Sequence, residues 1–345
     1  MSQINFKKFF LENILDFLWR QWSNLGVAGS GSAEESWVID PEALLVFSLK
    51  FARYEPRLFD EILDWLVING KFVDIQRLRG IIRKQDEVTQ RLVSAVACFL
   101  SHESKTYYRK WKALGLLKRA DTNIQDEILF RTKDDKSYPK SKEESIIFHD
   151  YGFLREEFIL RKMSRPVSVS SASNIRFLLR SLFGIGSRAE CVLYLLTHEA
   201  GHPSEVASAI GLSVRGTQDA LIDLAISGLV LTRIKGKRKI EYWLSQKKWW
   251  EFISGMNHEE VKQAAWLDWI ALFRALNNVW KVLSEAQETE SDYMRSSRLR
   301  EAMETISLEF SKSGLDLPPP PGKEIKPDKY EIEFQQFITR VLGAK

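Results

Sequence analysis

Residues 187–244 read SRAECVLYLLTHEAGHPSEVASAIGLSVRGTQDALIDLAISGLVLTRIKGKRKIEYWL, and three successive patterns within them predict helices. In each pattern, apolar side chains recur three and four residues apart, which is the spacing of one buried helix face. The predicted helices cover residues 187–198, 203–210 and 214–226. Ser187 and Glu190 have the spacing of a capping box, which predicts that Ser187 is the N-cap of the first helix. Gly211 supplies the tight turn before the third helix, since glycine tolerates positive φ.

A β-hairpin is predicted after the third helix. Residues 229–234 and 240–244 are rich in β-branched and aromatic side chains, and Gly236 lies between them where a turn is expected. The cations of this hairpin are Arg233, Lys235, Lys237, Arg238 and Lys239. Such a dense group on a two-stranded ribbon suits contact with phosphates or with the minor groove of DNA. The alternative is a solvated hairpin whose edge is protected by lysine.

The succession of three helices and a hairpin resembles the winged helix-turn-helix domains of MarR- and ArsR-type bacterial regulators. The resemblance is carried by Pro203-Ser-Glu-Val-Ala-Ser-Ala-Ile-Gly-Leu-Ser213, by Leu221 and Leu224, and by Ser227-Gly-Leu-Val-Leu231 before the basic hairpin. It covers residues 187–245, about a sixth of the chain. It implies a DNA-binding protein, a transcriptional regulator whose third helix enters the major groove.

On this alignment the third helix has an inner and an outer face. The inner residues are Thr217, Ala220, Leu221 and Leu224, and the outer ones are Val214, Arg215, Gln218, Asp219 and Ile222. Arg215 can make a bidentate contact to guanine, and Gln218 to adenine. Ser204, at the start of the second helix, can offer its hydroxyl or its N–H to a phosphate. The predicted DNA contacts are Ser204, Ser213, Val214, Arg215, Gln218, Arg233, Lys235, Lys237, Arg238 and Lys239.

Two carboxylates on the third helix favour a different partner. Asp219 and Asp223 would repel phosphates unless each accepts from a cytosine amino group or pairs with an arginine. The same fold also serves as a protein-docking module. A second interpretation therefore stays open, in which the chain is a non-catalytic interaction subunit, antitoxin-like or part of a defence complex, whose winged domain docks protein.

Residues 198–202 match the zinc-protease pattern His-Glu-x-x-His. That chemistry needs both imidazoles on one face of an unbroken helix, with the glutamate beside the metal-bound water. Gly201 interrupts the pattern, and Pro203 moves His202 away from the helix axis. The nucleophile-elbow pattern Gly-x-Ser-x-Gly does not occur. The sequence therefore predicts no enzyme, no metal site and no cofactor.

The rest of the chain is predicted to be helical, so the expected fold class is mainly α with the winged domain in the middle. The predicted units are a helical amino-terminal domain over residues 1–165, the winged domain over 174–248 and a helical carboxy-terminal region over 249–345. Residues 40–84 form either a degenerate helix-turn-helix or a plain helical bundle. The prolines at 318–321 require an extended spacer. The carboxy-terminal helices are candidate surfaces for a homodimer or for a protein partner.

Composition limits the function less than these patterns do. The formal net charge is +4 over 345 residues, so nucleic-acid binding must depend on local clusters of charge. Cys98 and Cys191 lie in apolar helical patterns, which predicts free thiols in a reducing compartment. The sequence has no apolar run of about 18 residues and no secretory signal. These features predict a cytoplasmic protein that spans no membrane.

Overall fold

The protein is mainly helical, as predicted. Its structure is a computed structural model with fifteen α-helices and two small sheets among the residues that it describes. Those residues are 2–29, 36–103, 108–116, 125–139, 144–236, 239–257, 263–287, 291–322 and 324–343. None of the described helices combines the length and the apolar character that a membrane span requires.

Carboxylate caps fix the starts of two amino-terminal helices. Asp40 accepts a hydrogen bond from the Ala43 N–H at 3.0 Å, with Pro41 in the first helical position. Asp74 accepts from two N–H groups in the first turn of a later helix. The α-helices of this part are α1 (Gln3–Asn24), α2 (Pro41–Phe51), α3 (Pro56–Asn69), α4 (Ile75–Ile82), α5 (Glu87–Glu103), α6 (Tyr108–Gly115) and α7 (Ile146–His149).

Shorter elements complete the amino-terminal part. The strands β1 (Glu127–Ile128) and β2 (Phe153–Leu154) pair in parallel. The 3-10 helices are Ala52–Tyr54, Gly70–Phe72 and Ala172–Asn174. The buried aromatic and aliphatic side chains of α1 to α6 form one continuous hydrophobic core.

The middle of the chain forms a second hydrophobic core. Its elements are α8 (Ile175–Phe183), α9 (Ser187–Thr197), α10 (Pro203–Ile210), α11 (Val214–Ile226), β3 (Leu231–Lys235), β4 (Lys239–Trp243) and α12 (Gln246–Asn257). We call residues 187–244 the central unit. Helices α9, α10 and α11 contact one another, and β3 pairs antiparallel with β4. The predicted order of three helices and a hairpin is therefore present.

The three carboxy-terminal helices share the core of the amino-terminal helices. They are α13 (Trp269–Gln287), α14 (Asp292–Ser313) and α15 (Pro327–Gly343). Phe273 of α13 stacks on Phe47 of α2 with 4.1 Å between the ring centroids, and Trp280 stacks on Phe10 of α1. The prolines at 318–321 lie in the irregular segment between α14 and α15. The two ends of the chain thus form one body beside the central unit.

Six buried charged side chains lie where the two hydrophobic cores meet. We call them the buried ion network, which consists of Asp40, Glu42, Arg77, Arg176, Arg180 and Glu190. Arg180 of α8 donates to Glu42 at 2.7 Å and to Glu190 at 2.6 Å. Arg77 of α4 donates to both Asp40 and Glu42. Since Glu190 belongs to α9, these bonds connect the central unit to the amino-terminal helices.

Burial and ion pairing act in opposite directions on the carboxyl groups of this network. Burial alone would raise the pKa of Asp40, but the Arg77 and Arg176 guanidinium groups hold it below its ordinary value. Burial likewise opposes ionisation of Glu42, and Arg180 with Arg77 lowers its pKa. In both cases the attraction to the guanidinium groups outweighs the effect of burial, because each carboxylate is hydrogen-bonded as well as paired. Asp40 and Glu42 are therefore ionised near neutral pH.

Glu190 shows that the predicted capping box at the start of α9 is wrong. Gly186 is the N-cap, and no side chain among the described residues caps this end of the helix. Glu190 instead points inward, where its carboxylate contacts Arg176 and Arg180. Ser187 and Glu190 have this spacing whether Glu190 caps the helix or points into the core, so the local pattern does not distinguish the two arrangements.

Candidate nucleic-acid interface

Helix α11 divides into the two faces that the sequence predicts. The buried residues are Thr217, Ala220, Leu221 and Leu224. The exposed ones include Val214, Arg215, Gln218, Asp219 and Ile222. The inner face packs on α9 and α10, and the outer face is exposed to solvent. Arg215 and Gln218 lie three residues apart, so they are neighbours on that face.

The start of α11 is held from two sides. The Ser213 hydroxyl accepts a hydrogen bond from the Gly216 N–H at 3.2 Å, so Ser213 is the N-cap of α11. Gly211 has φ of +70°, which explains the need for glycine in the turn. The Arg77 side chain of the buried ion network donates to the Ile210 carbonyl at 2.7 Å. The amino-terminal body therefore fixes the end of α10 and the turn that precedes α11.

The hairpin pairs with the segment that connects α9 to α10. Its register places Leu231 opposite Trp243 and Lys235 opposite Lys239, and Gly236 in the turn has φ of +64°. Gly201 and Tyr242 exchange two backbone hydrogen bonds of 2.9 Å each. This pairing brings the hairpin beside the first turn of α10. Lys237 and Arg238, two of the predicted DNA contacts, lie outside the described residues.

The three described cations of the hairpin are all paired with carboxylates. Arg233 contacts Glu199 at 2.8 Å and Glu241 at 3.0 Å. Lys235 contacts Glu241 at 3.0 Å, and Lys239 contacts Glu205 at 2.7 Å. We call these contacts the hairpin ion pairs. The sequence indicates the cations but not their partners, and the observed strand register places Glu241 opposite Arg233.

The first turn of α10 already satisfies its own polar groups. Ser204 donates its backbone N–H to His202 Nδ1 at 3.3 Å, and its hydroxyl lies 2.8 Å from the same nitrogen. Glu205 accepts from the His202 N–H at 3.2 Å, which completes a capping box. A phosphate at Ser204 would have to compete with the imidazole and with this nearby carboxylate.

The His-Glu-x-x-His pattern is divided between two helices. Helix α9 ends at Thr197, and the His198 ring stacks on Tyr194 with 3.9 Å between centroids. Burial lowers the pKa of His198, and its Nδ1 donates to the Tyr194 carbonyl at 2.9 Å. His202 is the N-cap of α10. Within the described part of the chain, no group of three histidine, cysteine or acidic side chains could hold a metal ion.

The carboxylates on the outer face of α11 have different surroundings. Asp223 pairs with Arg188 of α9 at 2.6 Å, so its charge is offset by a neighbouring arginine. Asp219 is exposed on the same face as Gln218. Two isoleucines also lie exposed there: Ile222 and, four residues later, Ile226, which is 81% exposed. The outer face of α11 is therefore cationic and polar at its start and apolar with carboxylates toward its end.

Comparison of the chain with models of protein families, with curated proteins and with solved structures found no match. The candidate function consequently rests on the geometry and the chemistry of the central unit.

Proposed function

We propose that the central unit is a winged helix-turn-helix domain that binds duplex DNA, as expected for a transcriptional regulator. The observation that carries the proposal is the outer face of α11, where Arg215 and Gln218 are exposed while the inner face of the same helix is buried. An exposed helix of this length fits the major groove, and its first turns reach the base edges. The hairpin then contacts the sugar–phosphate backbone beside it.

Arg215 is the best-placed residue for base recognition. It has no ion-pair partner among the described residues, so its five N–H donors are available. An arginine of this kind contacts the O6 and N7 atoms of guanine with two hydrogen bonds. Gln218 can pair in the same bidentate way with an adenine.

A mobility-shift assay with duplex DNA tests the proposal. In the test variant, the hairpin residues Lys235, Lys237, Arg238 and Lys239 are changed to glutamate, and this change is expected to abolish binding. Reversal of four positive charges on the hairpin removes the main sequence-independent attraction to DNA. The matched control changes four carboxy-terminal lysines to glutamate, Lys281, Lys312, Lys326 and Lys329, and should bind like the wild type. Equal affinity of the hairpin variant and the wild type would contradict the proposal.

A second candidate function, docking of a protein partner, is favoured by the later part of α11. Ile222 and Ile226 are exposed four residues apart, next to Asp219 and Asp223. Apolar side chains flanked by carboxylates suit a partner with an apolar and basic surface. Purification from the native host separates the two functions. A stoichiometric protein partner that is lost in Ile226→Asp, with no co-purifying nucleic acid, would favour docking.

A further inference from the structure

Two carboxylates outside the hairpin neutralise its cations. Glu199 reaches Arg233 from the segment between α9 and α10, and Glu205 reaches Lys239 from the first turn of α10. We propose that these two carboxylates occupy the places of two DNA phosphates, so that the free protein carries a built-in competitor that duplex DNA must displace. This inference rests on the proposed function, because it assigns which cations of the hairpin receive phosphates.

The geometry of both contacts suits a phosphate oxygen as well as a carboxylate oxygen. Arg233 Nη1 lies 2.8 Å from Glu199 Oε1, and Lys239 Nζ lies 2.7 Å from Glu205 Oε1. Charge-assisted N–H···O bonds to carboxylates and to phosphates have this same length. An incoming phosphate can therefore take over either contact without a change in the cation's position.

Exposure makes these two pairs exchangeable. The Glu199 side chain is 84% exposed, and Glu205, Arg233 and Lys239 are each between 42% and 50% exposed. Exposed ion pairs contribute little to stability, so their loss on DNA binding costs little. Glu241 differs from both, because its side chain is only 4% exposed beneath Arg233 and Lys235. Glu241 therefore stays with the hairpin, while Glu199 and Glu205 can leave it.

The two exchangeable carboxylates differ in how firmly they are held. Among the described residues, Glu199 contacts only Arg233, so it can swing into solvent. Glu205 also accepts from the His202 N–H in the capping box. A glutamine at either position keeps the size and a hydrogen-bond acceptor but removes the negative charge. The substitutions Glu199→Gln and Glu205→Gln thus remove the competition and preserve the cap.

Fluorescence anisotropy with a labelled mixed-sequence duplex and the full chain tests this inference. The E199Q/E205Q variant should bind the duplex about fivefold more tightly than the wild type at low salt, the size expected for two exposed ion pairs. The gain in affinity should shrink as salt is added, because salt screens the attraction of the cations to the carboxylates and to the phosphates alike. The control variant E12Q/E301Q makes the same change in net charge on α1 and α14, and its affinity should stay within about twofold of the wild type.

The outcomes separate this inference from the proposed function. Unchanged or weaker binding by E199Q/E205Q, with normal binding by the wild type, would overturn the competitor role and leave DNA binding intact. An equal gain in E12Q/E301Q would also overturn it, because net charge alone would then explain the effect. If only E199Q/E205Q binds the duplex, the competitor role is supported in its strongest form. If no variant binds, both proposals fail.

Discussion

The buried ion network and the hairpin ion pairs each combine three cations with three carboxylates, but they differ in their access to water. Every side chain of the buried ion network is at most 4% exposed. In the hairpin ion pairs only Glu241 is buried to that degree. The first cluster fixes the end of α10 through Arg77, and the second lies on the surface that we propose for DNA.

This difference separates charges that maintain the structure from charges that can change partner. A buried carboxylate whose partner is removed stays in a medium of low dielectric constant, and its loss of solvation is not compensated. An exposed carboxylate returns to water at little cost when a phosphate replaces it. The same chemical groups therefore serve as a permanent connection in one region and as an exchangeable one in the other.

Arg180→Met should give the largest effect on stability. Arg180 contacts both Glu42 and Glu190, and its loss leaves two buried carboxylates with fewer partners. We expect the free energy of unfolding to fall by about 3–5 kcal/mol, measured by urea denaturation. Arg188→Met, which removes the exposed partner of Asp223, should change it by at most about 1 kcal/mol. Equal effects in the two variants would remove the contrast between buried and exposed pairs.

The same contrast predicts that the stability of the protein falls at acid pH. Asp40 and Glu42 have pKa values below the ordinary 3.8 and 4.5, so the folded protein binds fewer protons than the unfolded chain in this range. Their stabilising contribution is complete above about pH 4.5 and is lost as the pH falls toward their lowered pKa values. Urea denaturation at a series of pH values between about pH 2 and pH 6, a range that spans the ordinary pKa values, measures this loss of stability. Asp40→Asn should reduce the fall in the free energy of unfolding at acid pH, whereas Glu205→Gln should leave most of that fall unchanged.

Arg215→Ala should have a smaller effect, confined to DNA recognition. A bidentate contact from arginine to guanine contributes about 1–3 kcal/mol of discrimination against other bases. Selection of binding sites from a random duplex library should therefore show one position with a relaxed preference. Thermal stability should stay unchanged because Arg215 is exposed. An identical site preference in the variant would show that Arg215 does not contact a base.

Lys239→Ala should have the smallest effect. Lys239 pairs with Glu205, whose place we propose that a phosphate takes, and the loss of one phosphate contact reduces the slope of log K against log salt by about 0.9. Anisotropy titrations at four salt concentrations measure that slope. Lys247→Ala, which removes an exposed cation of α12, provides the comparison and should leave the slope unchanged.

The local features of the central unit were predictable because each depends on neighbouring residues. The period of Thr217, Leu221 and Leu224 predicts the buried face of α11, and the structure confirms it. Gly211 and Gly236 predict the two turns, and both have positive φ. Pro203 predicts that His202 leaves the helix, which the N-cap position of His202 confirms.

The charged partners were not predictable in the same way. The contact between Asp40 and Arg176 joins residues more than a hundred positions apart, and no local pattern specifies such a pair. Glu190 fits a capping box by spacing alone, whereas the tertiary fold places it among arginines. Likewise, the amphipathic pattern of α13 predicts a buried face without indicating that α1 and α2 cover it.

Hydrogen exchange of the full chain with and without duplex DNA tests the central claim most directly. We predict slower exchange at the start of α11 and in the hairpin, between Ser213 and Ile222 and between Leu231 and Trp243, when the duplex is added. Amides around Asp40 and Arg180 should exchange at the same rate in both samples, because the buried ion network keeps its partners. Protection confined to other helices, or no protection at all, would contradict the assignment of DNA binding to the central unit.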